Sequence, residues 1–387
     1  MTVTEQSSVQ NDSAKKIRDT AVAPGKVILS GEHSVVYGAP AVAVAVDRHT
    51  ELTFTPMHKT EGVRTAFDNL SHGQFYPLEL LKTFKAGLDR RFDQFVRGDL
   101  PVQKILQRPD DLAVYTIVFL MHILPLPGVS QTRKLPVPGQ LNSRTALPMG
   151  AGMGSSAAII AATLVLYEHM LNMPQTLAER FDRVRFCERL QHGKGSAIDA
   201  AAVVYGGVNR VQEDELEHPS LDPMHSLRTG GGWYWVLHGI PTSSTGECVA
   251  AVRNNYGEDA QLWQAFEQCT NAFEKSLGLN SDARDIIREN HQLLTRIGIV
   301  PAAAQRFIDE IERHGGAAKV SGAGSVRGDN AGIILVHMPD DAAMESLMGK
   351  HPDLRWEQLR IASQGAHLRP APQALPAAAT PGAVEPV

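Results

Sequence analysis

Residues 147–158 read LPMGAGMGSSAA, and this stretch decides the fold. Its alternating glycines let the backbone turn tightly and approach a ligand closely. The apolar run over 159–173 predicts a buried central helix, which Ser155 and Ser156 would open. Free N–H groups and the positive end of a helix favour a phosphate at such a position. The stretch therefore predicts either a phosphate-binding loop or a close packing of a helix against a sheet.

Two common nucleotide-binding motifs do not describe this stretch. A P-loop would continue into Gly-Lys-Ser or Gly-Lys-Thr, and no such residues follow here. The glycines at 150, 152 and 154 have the spacing G-x-G-x-G, whereas a dinucleotide-binding turn has G-x-G-x-x-G. The functional interpretation is therefore a phosphate-binding loop of another kind.

Two carboxylates flank a glycine-containing turn after this helix. Thr176 and Glu179 have the spacing of a capping box, which predicts a second helix that carries Glu188. Beyond the turn, Ser196 can cap a third helix with Asp199 in its first turn. If both face one pocket, one carboxylate could hold Mg²⁺ and the other could accept a proton from a hydroxyl. Otherwise they are a surface charge and a charge that complements the helix dipole.

A third group of polar residues lies near the N terminus. Apolar runs at 27–30 and 41–46 predict two strands. Lys26 precedes the first strand, and Glu32 and His33 follow it. A lysine at a strand edge can accompany a phosphate or a carboxylate, although a single lysine is more often a solvated surface charge. His33 alone is likewise more often structural than catalytic.

The rest of the chain alternates between predicted helices and strands. Helical spacing predicts helices at 75–95, 112–124, 260–276, 282–297, 302–314 and 342–350. Strands are predicted at 208–211, 233–237, 317–320 and 332–337, with a turn or short strand at 34–38. The charged stretch 213–229 marks a domain boundary. We expect domains at 21–215 and 216–368, with disordered tails at 1–20 and 369–387.

The composition is that of an ordinary globular protein. The 387 residues carry a net charge of −5, so the basic surplus of a nucleic-acid-binding protein is missing. Three widely spaced cysteines form neither a disulfide framework nor a zinc site, which favours a reducing, cytoplasmic location. No signal peptide is apparent, and the longest apolar runs are shorter than the roughly 20 residues that span a membrane. We therefore expect no nucleic-acid and no membrane partner.

Together these stretches resemble the GHMP small-molecule kinases. Residues 23–38, APGKVILSGEHSVVYG, are most similar to the first motif of the mevalonate kinase branch. Residues 148–158 resemble the second motif closely. Glu188 and Asp199 have the spacing of the family's magnesium carboxylate and catalytic aspartate. The resemblance covers about residues 23–46, 147–207 and 317–335.

The resemblance implies an α+β fold of two halves with a cleft between them. The N-terminal half would be ribosomal-S5-domain-2-like, and the C-terminal half would be ferredoxin-like. The implied activity is ATP-dependent phosphorylation of the primary hydroxyl of mevalonate with Mg²⁺ as cofactor, a reaction that depends mostly on positioning and charge neutralisation. The implied partners are ATP and a small-molecule alcohol, and a homodimer is left open.

The resemblance also implies the roles of the reacting groups. Asp199 would accept or orient the hydroxyl proton, and Lys26 beside it would favour its charged form. Glu32 and His33 would shape the substrate side.

The binding of ATP and Mg²⁺ would involve the second motif and one carboxylate. Ser156 and Glu188 would hold Mg²⁺. The phosphates would lie against Pro148, Gly150, Ala151, Gly152, Met153, Gly154, Ser155, Ser156 and Ala157.

The third motif departs from the family pattern. Residues 319–329 read KVSGAGSVRGD, with Val326 and Arg327 where glycines are usual. A β-branched valine tolerates positive φ poorly, so the usual loop conformation and its contacts are not expected to carry over unchanged. Arg327 would either replace lost contacts through its charge or point to solvent.

Two alternative functions stay open. One is a GHMP kinase for another alcohol, such as a sugar or phosphomevalonate, although the segment EHSVVYG at 32–38 argues against it. The other is a non-catalytic relative that only senses a ligand. The altered third motif favours this alternative, whereas the retention of Lys26, Ser156, Glu188 and Asp199 argues against it.

Overall fold

A computed structural model of the protein describes residues 19–57, 62–68, 71–123, 138–213 and 215–369. The tails expected at 1–20 and 369–387 therefore lie almost wholly outside the described residues. The first strand already begins at Asp19, and the backbone N–H of Arg369 donates to the carbonyl of Thr20 over 2.8 Å. No helix in these described ranges is long and apolar enough to cross a membrane.

An eight-stranded sheet forms the N-terminal part of the fold. Its main path runs β12-β1-β2-β5-β3-β4, with β6 on β2 and β7 on β6. The small and β-branched residues of β1 are buried over nearly its whole length, so this strand lies at the centre of the core. The strands are β1 (Asp19–Ser30), β2 (Ala41–Pro56), β3 (Gly62–Phe67), β4 (Ser71–Pro77), β5 (Gly139–Thr145), β6 (Val208–Gln212), β7 (Glu215–Glu217) and β12 (His367–Leu368).

Five α-helices accompany this sheet. They are α1 (Leu78–Val96), α2 (Asp111–Ile123), α3 (Ser155–Met170), α4 (Leu177–His192) and α5 (Ala197–Tyr205); short 3-10 helices lie at Ser34–Tyr37 and Val102–Lys104. The predicted burial of α3 is confirmed, because the helix packs against β1 and β2 on one side and α2 and α4 on the other. The buried charge of Glu168 near its end is paired with Arg180 of α4 at 2.6 Å.

A second sheet of four antiparallel strands forms the C-terminal part, in the order β11-β8-β10-β9. Its strands are β8 (Trp233–His238), β9 (Ala317–Ser321), β10 (Gly332–His337) and β11 (Arg355–Gln358). The helices of this part are α6 (His225–Thr229), α7 (Thr245–Tyr256), α8 (Ala260–Gly278), α9 (Arg284–Arg296), α10 (Ala302–Arg313) and α11 (Asp341–Met348). Helices lie between β8 and β9 and between β10 and β11. The order of strands and helices in this part is therefore ferredoxin-like. The predicted α+β class is confirmed.

The two sheets meet where β1 and β9 end. The hydroxyl of Ser321 in β9 accepts the N–H of Ile28 in β1 over 2.9 Å and donates to the carbonyl of the same residue over 3.0 Å. Both strands continue directly into glycine-containing turns, at Gly31 and Gly322. The change from the first sheet to the second falls between β7 and β8, although β12 returns to pair with β1. The division into domains at residue 215 stays a prediction.

Several local predictions were wrong or incomplete. The helix expected from residue 75 begins at Leu78, because Phe75 pairs with Arg64 in the β3–β4 ladder and Pro77 has an extended backbone. We expected a turn or a short strand at 34–38, and the structure has a 3-10 helix there, at Ser34–Tyr37. Sequence analysis missed β5 and α7, although Ser244 and Glu247 form a complete capping box at the start of α7.

We expect Ser321→Ala to weaken the contact between the two sheets. The substitution leaves the buried N–H of Ile28 without its acceptor and removes a donor to the carbonyl, which costs about 1–3 kcal/mol of unfolding free energy. Urea unfolding measures the loss. Ser346→Ala, at an exposed position of α11, is the matched control. Equal unfolding free energies for the two variants would contradict this account of the sheet contact.

Candidate active site

The loop that leads into α3 contains three left-handed glycines. Gly150, Gly152 and Gly154 have φ angles of 71°, 92° and 72°, a region that other residues rarely adopt. Gly154 is the N-cap of α3, and no side chain caps this helix in the structure. The first N–H groups of a helix have no acceptor within the helix. This N terminus can therefore bind an anion such as a phosphate.

Two buried residues attach this loop to both sheets. The carbonyl of Met153 accepts the N–H of Lys26 in β1 over 3.0 Å. The carbonyl of Ala151 accepts the N–H of Ile333 in β10 over 3.2 Å. The loop is therefore fixed between the two halves of the protein, with the buried Pro148 at its start.

An ion pair between Lys26 and Asp199 lies against the end of the loop. The lysine Nζ is 3.2 Å from Oδ1 of the aspartate, and the side chains are 4% and 17% exposed. The helix N-cap of α5 positions the aspartate, because the Ser196 hydroxyl accepts the N–H of Asp199 over 3.2 Å. A Cβ atom at Gly154 would lie 3.0 Å from Lys26 Cγ and 3.2 Å from Asp199 Oδ1. A side chain at position 154 would crowd this pair, and the left-handed backbone there also favours glycine.

Glu188 of α4 connects the N termini of α3 and α5. Its Oε1 accepts the hydroxyl of Ser156 over 3.0 Å, and its Oε2 accepts the backbone N–H of Ser196 over 3.1 Å. The carboxylate is almost wholly buried. Nε2 of His192, one turn further along α4, lies 3.4 Å from the same Ser156 hydroxyl. The hydroxyl and the carboxylate that the sequence suggested as Mg²⁺ ligands are thus adjacent.

Burial raises the pKa of Glu188, and the nearby carboxylate of Asp199 raises it further. The hydrogen bonds from Ser196 and Ser156 and the charge of Lys26 act in the opposite direction. Burial lowers the pKa of His192. The raised pKa of Glu188 reflects a buried carboxylate whose negative charge is incompletely balanced, and a cation would balance it.

A metal ion at this position would need ligands beyond the protein. Within the described part of the chain, no cluster of three or more His, Cys, Asp or Glu side chains could hold a metal. One serine hydroxyl and one carboxylate are nevertheless hard oxygen ligands. Mg²⁺ is commonly held by one or two carboxylates together with phosphates of the substrate. Ser156 and Glu188 therefore fit a Mg²⁺ ion that is shared with bound phosphates.

Glu32 lies in the turn that follows β1. It is 2% exposed and forms an ion pair with Lys319 of β9, which is fully buried. The Lys319 ammonium also donates to the carbonyl of Val320 over 3.0 Å. Burial lowers the pKa of Lys319, whereas the charge of Glu32 raises it.

His33 is buried beside the third motif. Its Nε2 lies 3.0 Å from the carbonyl of Ala323, and its backbone has a φ of 61°, which is unusual for a residue other than glycine. Burial lowers the pKa of this histidine. A Cβ at Gly152 would lie 3.5 Å from the carbonyl of Ser321, so the third motif also borders the glycine loop.

The altered residues of the third motif lie in its outer part. The left-handed residues of this loop are glycines, at 322, 324 and 328, and neither Val326 nor Arg327 has a positive φ. Arg327 is 58% exposed and donates to Glu247 over 2.6 Å. The valine therefore occupies no position at which a side chain would strain the backbone.

The structure brings together Lys26, Gly154, Ser156, Glu188 and Asp199, all of which the sequence singled out. Glu32 and His33 lie at the adjoining turn after β1, against β9 and the third motif. The catalytic, binding and metal roles assigned to these residues stay predictions.

Sequence analysis missed two polar residues near these groups. Lys319 is the single charged residue in the otherwise small or apolar strand AAKVS, where every position is buried. The contrast between this lysine and its small or apolar neighbours could have identified Lys319 from the sequence. His192 follows Glu188 by one helical turn, a spacing that places both side chains on one face of α4.

Comparisons with known proteins show which proteins this chain is similar to. The model of the family described as GHMP kinases N terminal domain matches residues 128–207. Mevalonate kinase of Pyrococcus abyssi (strain GE5 / Orsay) is 27% identical over 323 residues, which cover 79% of this chain and 85% of that protein. The crystal structure of Methanococcus jannaschii mevalonate kinase has a TM-score of 0.69 at 18% identity and covers 89% of this chain and 98% of that chain.

A galactokinase has a similar fold. The structure of Lactococcus lactis galactokinase complexed with galactose has a TM-score of 0.67 at 14% identity, and it covers 91% of this chain and 95% of that chain. At these identities the structural likenesses show the fold alone. The chain therefore contains a segment that matches the GHMP kinases N terminal domain, and over most of its length it is similar to mevalonate kinases.

Proposed function

We propose that this protein transfers the terminal phosphoryl group of ATP to the primary hydroxyl of mevalonate. The observation that carries the proposal is the Lys26–Asp199 ion pair, which lies directly against the N terminus of α3. In this arrangement Asp199 would accept a hydroxyl proton beside the place where the phosphates would bind. The similarity to mevalonate kinases over about four fifths of the chain supports mevalonate as the alcohol.

The phosphates of ATP would lie against the glycine loop and the first turn of α3. The left-handed glycines at 150 and 152 leave no side chain between the backbone and a ligand. The uncapped N–H groups at the start of α3 would donate to phosphate oxygens, and the helix dipole would add to the attraction.

Ser156 and Glu188 would hold Mg²⁺. The ion would neutralise charge on the phosphates during transfer. Glu188 would then exchange its hydrogen bond from the Ser156 hydroxyl for a bond to the cation. Ser196 would keep the other carboxylate oxygen in place through its backbone N–H.

Asp199 would orient the attacking hydroxyl and accept its proton. Its side chain is 17% exposed, so a substrate can reach it, whereas Lys26 is nearly buried behind it. In a loose transition state of phosphoryl transfer there is little covalent chemistry for the protein to perform, so a carboxylate in the right place suffices as acceptor. Lys26 would keep the carboxylate in place and balance its charge before the proton arrives.

We also infer a cytoplasmic location, because the three cysteines are buried and unpaired, as is usual in a reducing compartment. ATP and the alcohol are the proposed partners, and a homodimer stays a prediction. The main competing function is phosphorylation of another alcohol, since a galactokinase has nearly the same TM-score as a mevalonate kinase.

A phosphoryl-transfer assay over a panel of alcohols tests the proposed substrate. We expect the protein to phosphorylate mevalonate with ATP and Mg²⁺, and to leave galactose and phosphomevalonate largely unchanged. Asp199→Asn, purified in parallel, controls for a contaminating kinase. Turnover of galactose without turnover of mevalonate would overturn the substrate assignment, and no turnover of any alcohol would favour the ligand-sensing alternative.

Glu188→Gln tests the magnesium ligand. The amide keeps the size of the side chain but removes its charge, so the Mg²⁺ concentration for half-maximal rate should rise by about tenfold or more. Glu289→Gln, an exposed position of α9, is the matched control. Full activity with an unchanged Mg²⁺ dependence would remove Glu188 from this role.

Asp199→Asn tests the proton acceptor. We expect kcat to fall by about 10²–10⁴, the usual contribution of a general base, while ATP binding changes little. Asp285→Asn is the control, because Asp285 also lies in the first turn of a helix but is 97% exposed. If Asp199→Asn retains more than about a tenth of the wild-type kcat, Asp199 only complements its helix dipole.

A further inference from the structure

The buried ion pair between Lys319 and Glu32 has no part in the function proposed above. Lys319 is completely buried, in a strand whose other residues are small or apolar. A charged group in such an environment is costly unless it is paired and hydrogen-bonded. Its ammonium meets this condition with the Glu32 carboxylate, the Val320 carbonyl at 3.0 Å and the Ile28 carbonyl at 3.5 Å.

The Glu32 carboxylate depends on Lys319 for its charge pairing. One of its carboxylate oxygens is bonded to Lys319, whereas the other, Oε2, is buried without a hydrogen-bond partner among the described residues. Removing one partner of a buried ion pair leaves an uncompensated charge, which is strongly unfavourable. The position of Glu32, and of the turn that it belongs to, is therefore tied to the lysine.

The turn after β1 is attached to β9 and to the loop that follows β9. Lys319 and Ser321 are two positions apart in β9, so they share one face of the strand, and both contact β1 or its turn. Ala323 then contacts His33, whose left-handed backbone needs support from its surroundings. These contacts fix the turn relative to the third motif.

The same turn lies close to the Lys26–Asp199 pair. Lys26 precedes Ile28 by two positions on β1, and its charge is near enough to lower the pKa of Lys319. Each lysine is paired with its own carboxylate.

We propose that Lys319 is a positioning residue for the alcohol substrate. By pairing with Glu32 it fixes the turn at Gly31–His33. The inference rests on the proposed function, since it concerns the same site and the alcohol bound there. The phosphate-binding loop makes no hydrogen bond to Lys319 or Glu32 among the described residues, so we expect ATP binding to change little when the pair is removed.

Steady-state kinetics of Lys319→Met test the proposal. We expect the KM for mevalonate to rise about tenfold to a hundredfold, the size of a lost charged hydrogen bond, with the KM for ATP within about twofold of wild type. Arg180→Met is the matched control, because it breaks another buried ion pair, with Glu168, that touches none of the site residues. A merely structural role would lower kcat in both variants and leave both KM values unchanged, and that result would overturn the proposal.

A double variant covers the case in which Lys319→Met does not fold. Lys319→Met with Glu32→Gln removes both charges, so no buried charge is left uncompensated. We expect this variant to unfold at nearly the wild-type urea concentration and to keep the raised KM for mevalonate. A wild-type KM in a folded double variant would overturn the proposal.

A measurement without substrate separates this inference from the proposed function. The ring proton signals of His33, assigned with His33→Gln, report its titration by NMR. Because burial lowers the pKa of His33, release of the turn should move its titration to higher pH in Lys319→Met and leave it unchanged in Arg180→Met. An unchanged His33 titration in Lys319→Met would overturn the inference, whereas a wild-type protein that phosphorylates no mevalonate would overturn the proposed function.

Discussion

The site depends on one residue that has no side chain. Gly154 ends the glycine loop, caps α3, and lies so close to Lys26 and Asp199 that a Cβ would approach them to 3.0 and 3.2 Å. The ion pair and the N terminus of α3 lie next to each other at a left-handed glycine, where a side chain would crowd both partners of the pair. A phosphate at the helix end and a hydroxyl at Asp199 would therefore be neighbours, which is the arrangement that phosphoryl transfer requires.

The charges around Gly154 explain why a cation and a nucleotide fit here. Lys26 is paired with Asp199 and Lys319 with Glu32, so two of the buried or half-buried carboxylates are balanced within the protein. Glu188 has hydrogen bonds but no lysine of its own, and its pKa is raised by burial and by Asp199. A metal ion stabilises a buried carboxylate that has no cationic partner in the protein. The same ion would also neutralise the phosphates.

The local elements of the site could be predicted because each is indicated by residues that lie close together in the sequence. The capping residues Thr176 and Ser196 mark the helices that carry Glu188 and Asp199, and both caps are present in the structure. The glycines at 150, 152 and 154 likewise indicate their own backbone conformation.

The pairing of Lys319 with Glu32 could not be predicted, because the partners are 287 positions apart and meet only when the two sheets come together. Strands β3 and β5 were missed for a similar reason, since their short and partly polar segments become strands through pairing with each other.

The departure of the third motif from its family pattern is compatible with this site. The part of the loop that borders the glycine loop retains Gly322 and Gly324, both left-handed, and a Cβ at Gly324 would lie 2.2 Å from the carbonyl of Ile299. The outer part is organised by Ser325, whose hydroxyl accepts the N–H of Ser243 over 3.3 Å and donates to the carbonyl of Arg327 over 2.6 Å. These bonds fix the outer turn without a glycine at 326 or 327. Side chains can be accepted there because the inner glycines set the backbone that faces β1, His33 and the glycine loop. The Arg327 side chain points outward to Glu247.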